Sequence, residues 1–268
     1  MPFDDAGPPR EQALTLHSSR RGRGPEVVLV HGFTQSSASW GRIAEHLAGK
    51  FEVVTVDLPG HGRSPVPAPG SDMAEAAGAL GRAGGKAAYV GYSLGGRCCL
   101  HLALQQPDLV ERLVVVGAHP GISEETGRRL RREADESLAA ALERGGDAVV
   151  PAFIDTWLEG ALFAHLTRDQ ADRPSRLGNS AEGLAASLRT VGTGTQVPTW
   201  NRLGDLEMPV LVVVGARDAR FRPLAEQMAH AIGPNAQLAV VAAAGHAVCF
   251  ERPQAFAALV SEFLRAGA

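Results

Sequence analysis

The serine at the centre of Gly91-Tyr92-Ser93-Leu94-Gly95 has the surroundings of an activated nucleophile. A short apolar run (87–90) precedes it and a run of helical composition (97–104) follows. The G-x-S-x-G pattern therefore sits in a strand–turn–helix context. A turn that tight strains the serine backbone and lifts its hydroxyl above the sheet. It also leaves no room for neighbouring side chains larger than hydrogen. Taken alone, the five residues read equally well as a glycine-rich turn with a solvent-facing serine.

A serine hydroxyl attacks poorly at neutral pH. It needs a base within hydrogen-bond reach, and the base needs a partner that fixes its tautomer. The chain order to look for is Ser, then Asp or Glu, then His. Asp218 follows an apolar run at 210–214, and His246 follows another at 238–241. Both then fall at the carboxyl ends of parallel strands, where open α/β sheets carry their sites. Of the nine histidines, His17, His46, His101, His165 and His230 lack such a position. His119 follows a strand but precedes a helical stretch, and His61 sits in a turn that it stabilises. Asp205 competes with Asp218 as the partner. Asp218 could also simply cap the helix after it. An oxyanion hole needs two backbone N–H groups. Leu94, next to the serine, supplies one, and Phe33 in His31-Gly32-Phe33 supplies the other.

These residues need a scaffold. Apolar runs at 26–30, 51–56, 87–90, 113–116, 210–214 and 238–241 alternate with helical patterns near 40–47, 72–84, 97–104 and 253–264. Leu14-Thr15-Leu16 could add an edge strand. Such alternation predicts an α/β fold, a mostly parallel sheet flanked by helices. Residues 121–196 break the pattern. They hold no convincing strand and carry helical stretches at 125–143, 148–165 and 182–190. We read them as an inserted helical cap over the serine. Residues 1–120 and 197–268 then form the core.

A chain of 268 residues accommodates one such domain plus an insertion. A net charge of −3 gives no reason to expect nucleic acid or an anionic membrane as partner. No apolar run approaches the roughly 20 residues of a membrane span. Residues 1–5 lack a basic-then-apolar signal pattern. Three cysteines make no disulfide framework. Together these point to the cytoplasm. With no clustered Cys/His ligands and no dinucleotide fingerprint, neither metal nor organic cofactor is expected. Nothing specifies an oligomeric state. Only Lys50 and Lys86 are lysines; the other basic residues are arginines, whose planar fork suits carboxylates.

The motifs HGF (31–33), DLPGHGRS (57–64), GYSLGG (91–96), GARD (215–218) and GH (245–246) occur in the order of the α/β-hydrolase superfamily. The chain resembles that superfamily from residue 31 to residue 246. The resemblance implies the α/β-hydrolase fold, but says little about substrate. A narrower resemblance is to the 2-succinyl-6-hydroxy-2,4-cyclohexadiene-1-carboxylate synthases of menaquinone biosynthesis. It is carried by GYSLGGR with Arg97, and by Trp157 followed by Leu162-Phe163, where Ala161 replaces the usual proline. Arg176-Leu177-Gly178-Asn179, Gly183-Leu184-Ala185, Thr193-Gly194-Thr195-Gln196 with Trp200, and Arg217-Asp218-Ala219-Arg220-Phe221 also match. In the last, Arg220 stands for the usual lysine.

This second resemblance implies a lyase. Ser93, deprotonated by His246 with Asp218 behind it, would take a proton from the substrate, and pyruvate would leave. Phe33 and Leu94 would stabilise the enolate-like oxygen. The substrate is a small molecule with several carboxylates, so Arg97, Arg176 and one arginine of 128–132, taken as Arg132, would bind it. Trp157 would be a pocket wall and Tyr92 a pocket hydroxyl. Each has a plainer reading: Arg97 covering the elbow helix, the 128–132 run as a solvated face, Trp157 and Tyr92 as packing. Two other functions stay open. One is a carboxylesterase or C–C bond hydrolase using the same triad. The other is a hydrolase-fold binding protein, against which the intact triad argues.

Overall fold

Residues 14–266 are described by a computed structural model. The strands are β1 (Ser18–Gly22), β2 (Glu26–Val30), β3 (Glu52–Val56), β4 (Ala87–Tyr92), β5 (Val110–Val116), β6 (Val210–Gly215) and β7 (Ala236–Val241). They form one sheet in the order β1-β3-β2-β4-β5-β6-β7. All neighbours are parallel except β1, which runs antiparallel to β3. The central strands are apolar throughout because helices cover both their faces. Val28 and Val30 of β2 face one core with α2 (Met73–Gly84), α3 (Leu94–Gln105) and α8 (Phe221–Ile232). Val27 and Leu29 face the other, with α1 (Gly41–Leu47) and α10 (Pro253–Arg265). A strand's period of two divides the β2 side chains between the layers.

The edge strand is not where Leu14 and Leu16 suggest. Leu16 is buried in the core, but the strand begins at Ser18 and pairs from Ser18↔Val56 to Gly22↔Glu52. An edge strand with an exposed face requires no apolar run, so Ser18, Arg20 and Arg21 serve.

Between β5 and β6 the chain forms no strand. Here lie α4 (Glu125–Gly145), α5 (Val150–Leu158), α6 (Arg173–Arg176) and α7 (Ala181–Val191). Ala139, Leu142, Ile154, Leu184 and Leu188 give these helices a small core of their own. The single helix expected over 148–165 is broken. Helix α5 stops at Leu158, Gly160 turns extended (ψ 147°), and Ala161–Phe163 form one 3-10 turn. That break swings Leu162 and Phe163 over the strand ends. No helix among the described residues is long and apolar enough to cross a membrane.

Candidate active site

Ser93 stands between β4 and α3 with φ 52° and ψ −110°, a conformation side chains rarely tolerate. Its N–H is tied to the Val116 carbonyl at 2.9 Å. A side chain on Gly95 would run into the Val30 carbonyl, and one on Gly91 into the backbone of Gly95. Both glycines let α3 pack straight onto the sheet, so the turn has no slack.

Asp218 follows β6, and His246 sits between β7 and the short α9 (Val248–Glu251). Asp218 Oδ2 lies 2.9 Å from His246 Nδ1, and His246 Nε2 lies 3.4 Å from Ser93 Oγ. The second distance is the long end of hydrogen-bond reach, as is common before substrate tightens such contacts. Asp218 also caps: its Oδ1 accepts the Phe221 N–H at 3.0 Å, at the head of α8. Asp218 thus makes both the helix-capping contact and the histidine contact, one oxygen each. Asp205 lies elsewhere, paired with Arg202 in a surface 3-10 turn.

Glu251 was not foreseen. Its carboxylate accepts the N–H groups of Gly245 (2.7 Å) and Ala247 (3.0 Å), the residues either side of His246. It braces the histidine loop without touching the ring. The only signal was an acid five residues past a motif histidine, too common to single out. Around His246 pack the rings of Phe221 (4.4 Å), Tyr92 (5.5 Å) and Phe163 (6.4 Å).

The N–H groups of Phe33 and Leu94 make no hydrogen bond among the described residues. The Phe33 loop is held from three sides. Thr34, at φ 68°, donates its N–H to His61 Nε2 at 3.3 Å. Its carbonyl accepts from Asn179 Nδ2 at 2.7 Å, and its hydroxyl accepts from Arg176 Nη1. His61 thus does steady the loop system. Burial pushes its pKa down to about 3 and that of His31 to about 4, so both stay neutral.

A cavity of about 90 Å³ opens on Ser93. Phe33, Leu94, Arg97, Arg131, Trp157 and Arg220 are among its walls. A second cavity, about 530 Å³, adjoins it beside His246. Phe153, Trp157, Leu162 and Phe163 make its walls mainly apolar. Trp157 borders both, its ring against Phe33 (5.1 Å) and Phe163 (6.1 Å), and its buried Nε1 has no partner. It is wall to both cavities and stacks on Phe153, which packs against the cap core.

Arg97 is 7% exposed and has no carboxylate partner among the described residues; Nη1 donates to Gln196 Oε1 at 2.8 Å. Burial, then the nearby Arg131, push its pKa down to about 10. Asp135, which Arg131 holds, offsets part of the cost of burying this cation without making an ion pair to it, so Arg97 can still take an anionic partner of its own. Arg131 is held by Asp135 at 2.8 Å, and Arg220 lies over the Phe221 ring.

Three expectations are corrected. Arg131, not Arg132, borders the cavity: Arg132 points to Glu125 and the Gly194 carbonyl. One residue along α4 is a 100° rotation, and α4 packing on α7 selects which arginine turns inward. Arg176 does not line the cavity. It is 1% exposed, bound to Thr34 and to the Ala171 carbonyl (2.7 Å), and it clamps the cap to the Phe33 loop. Tyr92 is packing, 2% exposed between His246 and Phe250.

Residues 25–253 match the alpha/beta hydrolase fold family. A Bacillus subtilis (strain 168) protein, provisionally named 2-succinyl-6-hydroxy-2,4-cyclohexadiene-1-carboxylate synthase, is 34% identical over 252 residues, 89% of each chain. The solved structure of MenH from S. aureus superposes with a TM-score of 0.86 at 28% identity, over 93% of this chain and 98% of that one. A malate-bound esterase from Thermogutta terrifontis reaches 0.81 at 26% identity, over 94% and 93%.

Proposed function

The chain belongs to the alpha/beta hydrolase fold family, and from that premise we propose that it is a pyruvate-eliminating lyase of menaquinone biosynthesis. It acts on a cyclohexene that bears a succinyl side chain, a carboxylate and an enolpyruvyl ether. One observation carries this reading: Arg97 is a buried cation without a carboxylate partner, in the same cavity as Ser93. Arg220 adds positive charge to that cavity, and Arg131, paired with Asp135, borders it. A simple ester would leave Arg97 unpaired; a polycarboxylate satisfies it. The similarity to the Bacillus subtilis protein and to the S. aureus structure supports the same reading.

In this mechanism His246 Nε2 takes the Ser93 proton and Asp218 stabilises the imidazolium. The serine oxygen removes a proton from a substrate carbon. The electron pair moves toward an oxygen that the Phe33 and Leu94 N–H groups stabilise. It then returns and breaks the C–O bond of the ether. The enolate of pyruvate leaves and is protonated on carbon. Binding through the arginines orients the C–H bond toward Ser93.

The alternative is a serine esterase, favoured by the apolar 530 Å³ cavity beside His246. Offering the purified protein the pathway substrate while following pyruvate separates the two. Rapid pyruvate release is the expected result. No pyruvate, together with fast turnover of simple esters, would reverse the assignment.

A further inference from the structure

His119 follows β5 in Gly117-Ala118-His119-Pro120 and borders the Ser93 cavity. It is 7% exposed and packs against Phe221, with ring centroids 5.7 Å apart. The Gly121 N–H donates to its Nδ1 at 3.1 Å. An imidazole nitrogen that accepts an N–H carries no proton, so the ring proton sits on Nε2. That Nε2 has no hydrogen-bond partner among the described residues. Nor is it sealed in protein, unlike Nε2 of His101. The ring is thus pinned at one nitrogen and leaves the other unsealed, on a residue that borders the cavity.

Its charge state matters as much as its direction. Burial, then Arg97, push its pKa down to about 4, so it is neutral at ordinary pH. The arginines already supply positive charge. A neutral, fixed-tautomer N–H adds direction without further repulsion.

We propose that His119 contacts the substrate, its Nε2–H donating to a carboxylate oxygen of the succinyl-type arm that Arg97 holds. The assignment rests on the reading of this cavity as a polycarboxylate site. It makes His119 a specificity residue, since a ligand with no oxygen there leaves the N–H unpaired.

Succinate is the probe, with calorimetric binding to wild type, His119→Asn and His119→Gln. Asparagine keeps an acceptor for the Gly121 N–H and removes the cavity donor. Glutamine carries an amide N–H to about the Nε2 position. His119→Asn should weaken succinate roughly tenfold or more, the worth of a hydrogen bond to a charged group. His119→Gln should stay within about threefold of wild type, since it keeps that bond. A His119→Asn protein that binds like wild type overturns the proposal. So does equal loss in both variants, which marks a structural role, and so does wild type that binds no succinate. Should His119→Asn fail to fold, His119→Gln decides, with a loss beyond tenfold counting against. Pyruvate release is followed in parallel on wild type. If it is absent while the succinate pattern holds, the lyase reading fails and the contact stands.

Discussion

At the ends of β4, β6 and β7 the backbone dictates where each functional side chain stands; over the pocket, helix packing does. Ser93 is locked by its own turn, by the Val116 carbonyl and by glycines that admit no β-carbon. Asp218 is fixed by the Phe221 N–H, and the His246 loop is braced by Glu251. The cap too has backbone locks, at Gly183 against Gly60 and at Asn179 on Thr34, but its cavity-facing side chains are set by how its helices pack. Arg131 faces the cavity and Arg132 does not because Ala139 and Leu142 of α4 settle against Leu184 and Leu188 of α7. The strand-end half is held by its own backbone; the cap half is placed by helix packing.

If that division is right, the two halves respond to mutation on different scales. Ser93→Ala should lower kcat for pyruvate release by about 10⁴-fold or more, as loss of a residue that acts in a unit does. A loss under a hundredfold in steady-state assays would break the comparison. Gly95→Ala should destabilise the fold by about 3 kcal/mol or more in denaturant unfolding, because strand and helix must part to admit a methyl. Arg97→Ala should raise KM and lower kcat together, a loss of about a hundredfold in kcat/KM. Unchanged kinetics would remove Arg97 from the site. Arg131→Ala should cost roughly tenfold, and Arg132→Ala less than about twofold, in the same assay. The reverse order would mean that α4 is rotated in solution.

The smallest effect concerns acid. His31 and His61 belong to the strand-end half and are held neutral by burial, with pKa values lowered to about 4 and about 3. Unfolded histidines gain protons below about pH 6.5. The unfolded chain therefore binds more protons than the folded one as pH falls from there toward 4, and stability drops across that window. Melting temperature should decline steadily from pH 7 to 5. A flat profile would contradict the neutral, buried assignment.

Much of the strand-end half was legible because its constraints are local. A glycine that must admit a close approach, or an acid just past an apolar run, leaves its mark within five residues. Five of the seven strands were visible to within two residues as apolar runs; β2, β3, β4 and β6 are largely buried, while β7 keeps its apolar run although none of its residues is buried. The edge strand β1 was not, since a half-exposed strand owes nothing to hydrophobicity. The break at Gly160 was not, since a helical pattern runs across it. In the cap the arginines were visible but their roles were not. Arg176 was matched to substrate, yet Thr34, 142 residues away in sequence, takes its Nη1. Glu251 acts through backbone N–H groups, which no side-chain pattern announces.

The central claim is that Ser93 works as a base inside a carboxylate pocket, not as an attacking atom. Intact-protein mass spectrometry on samples quenched during turnover of the pathway substrate tests it directly. The account predicts pyruvate accumulating while the protein mass stays unmodified. A covalent adduct on Ser93, formed and lost at the rate of turnover, would contradict it.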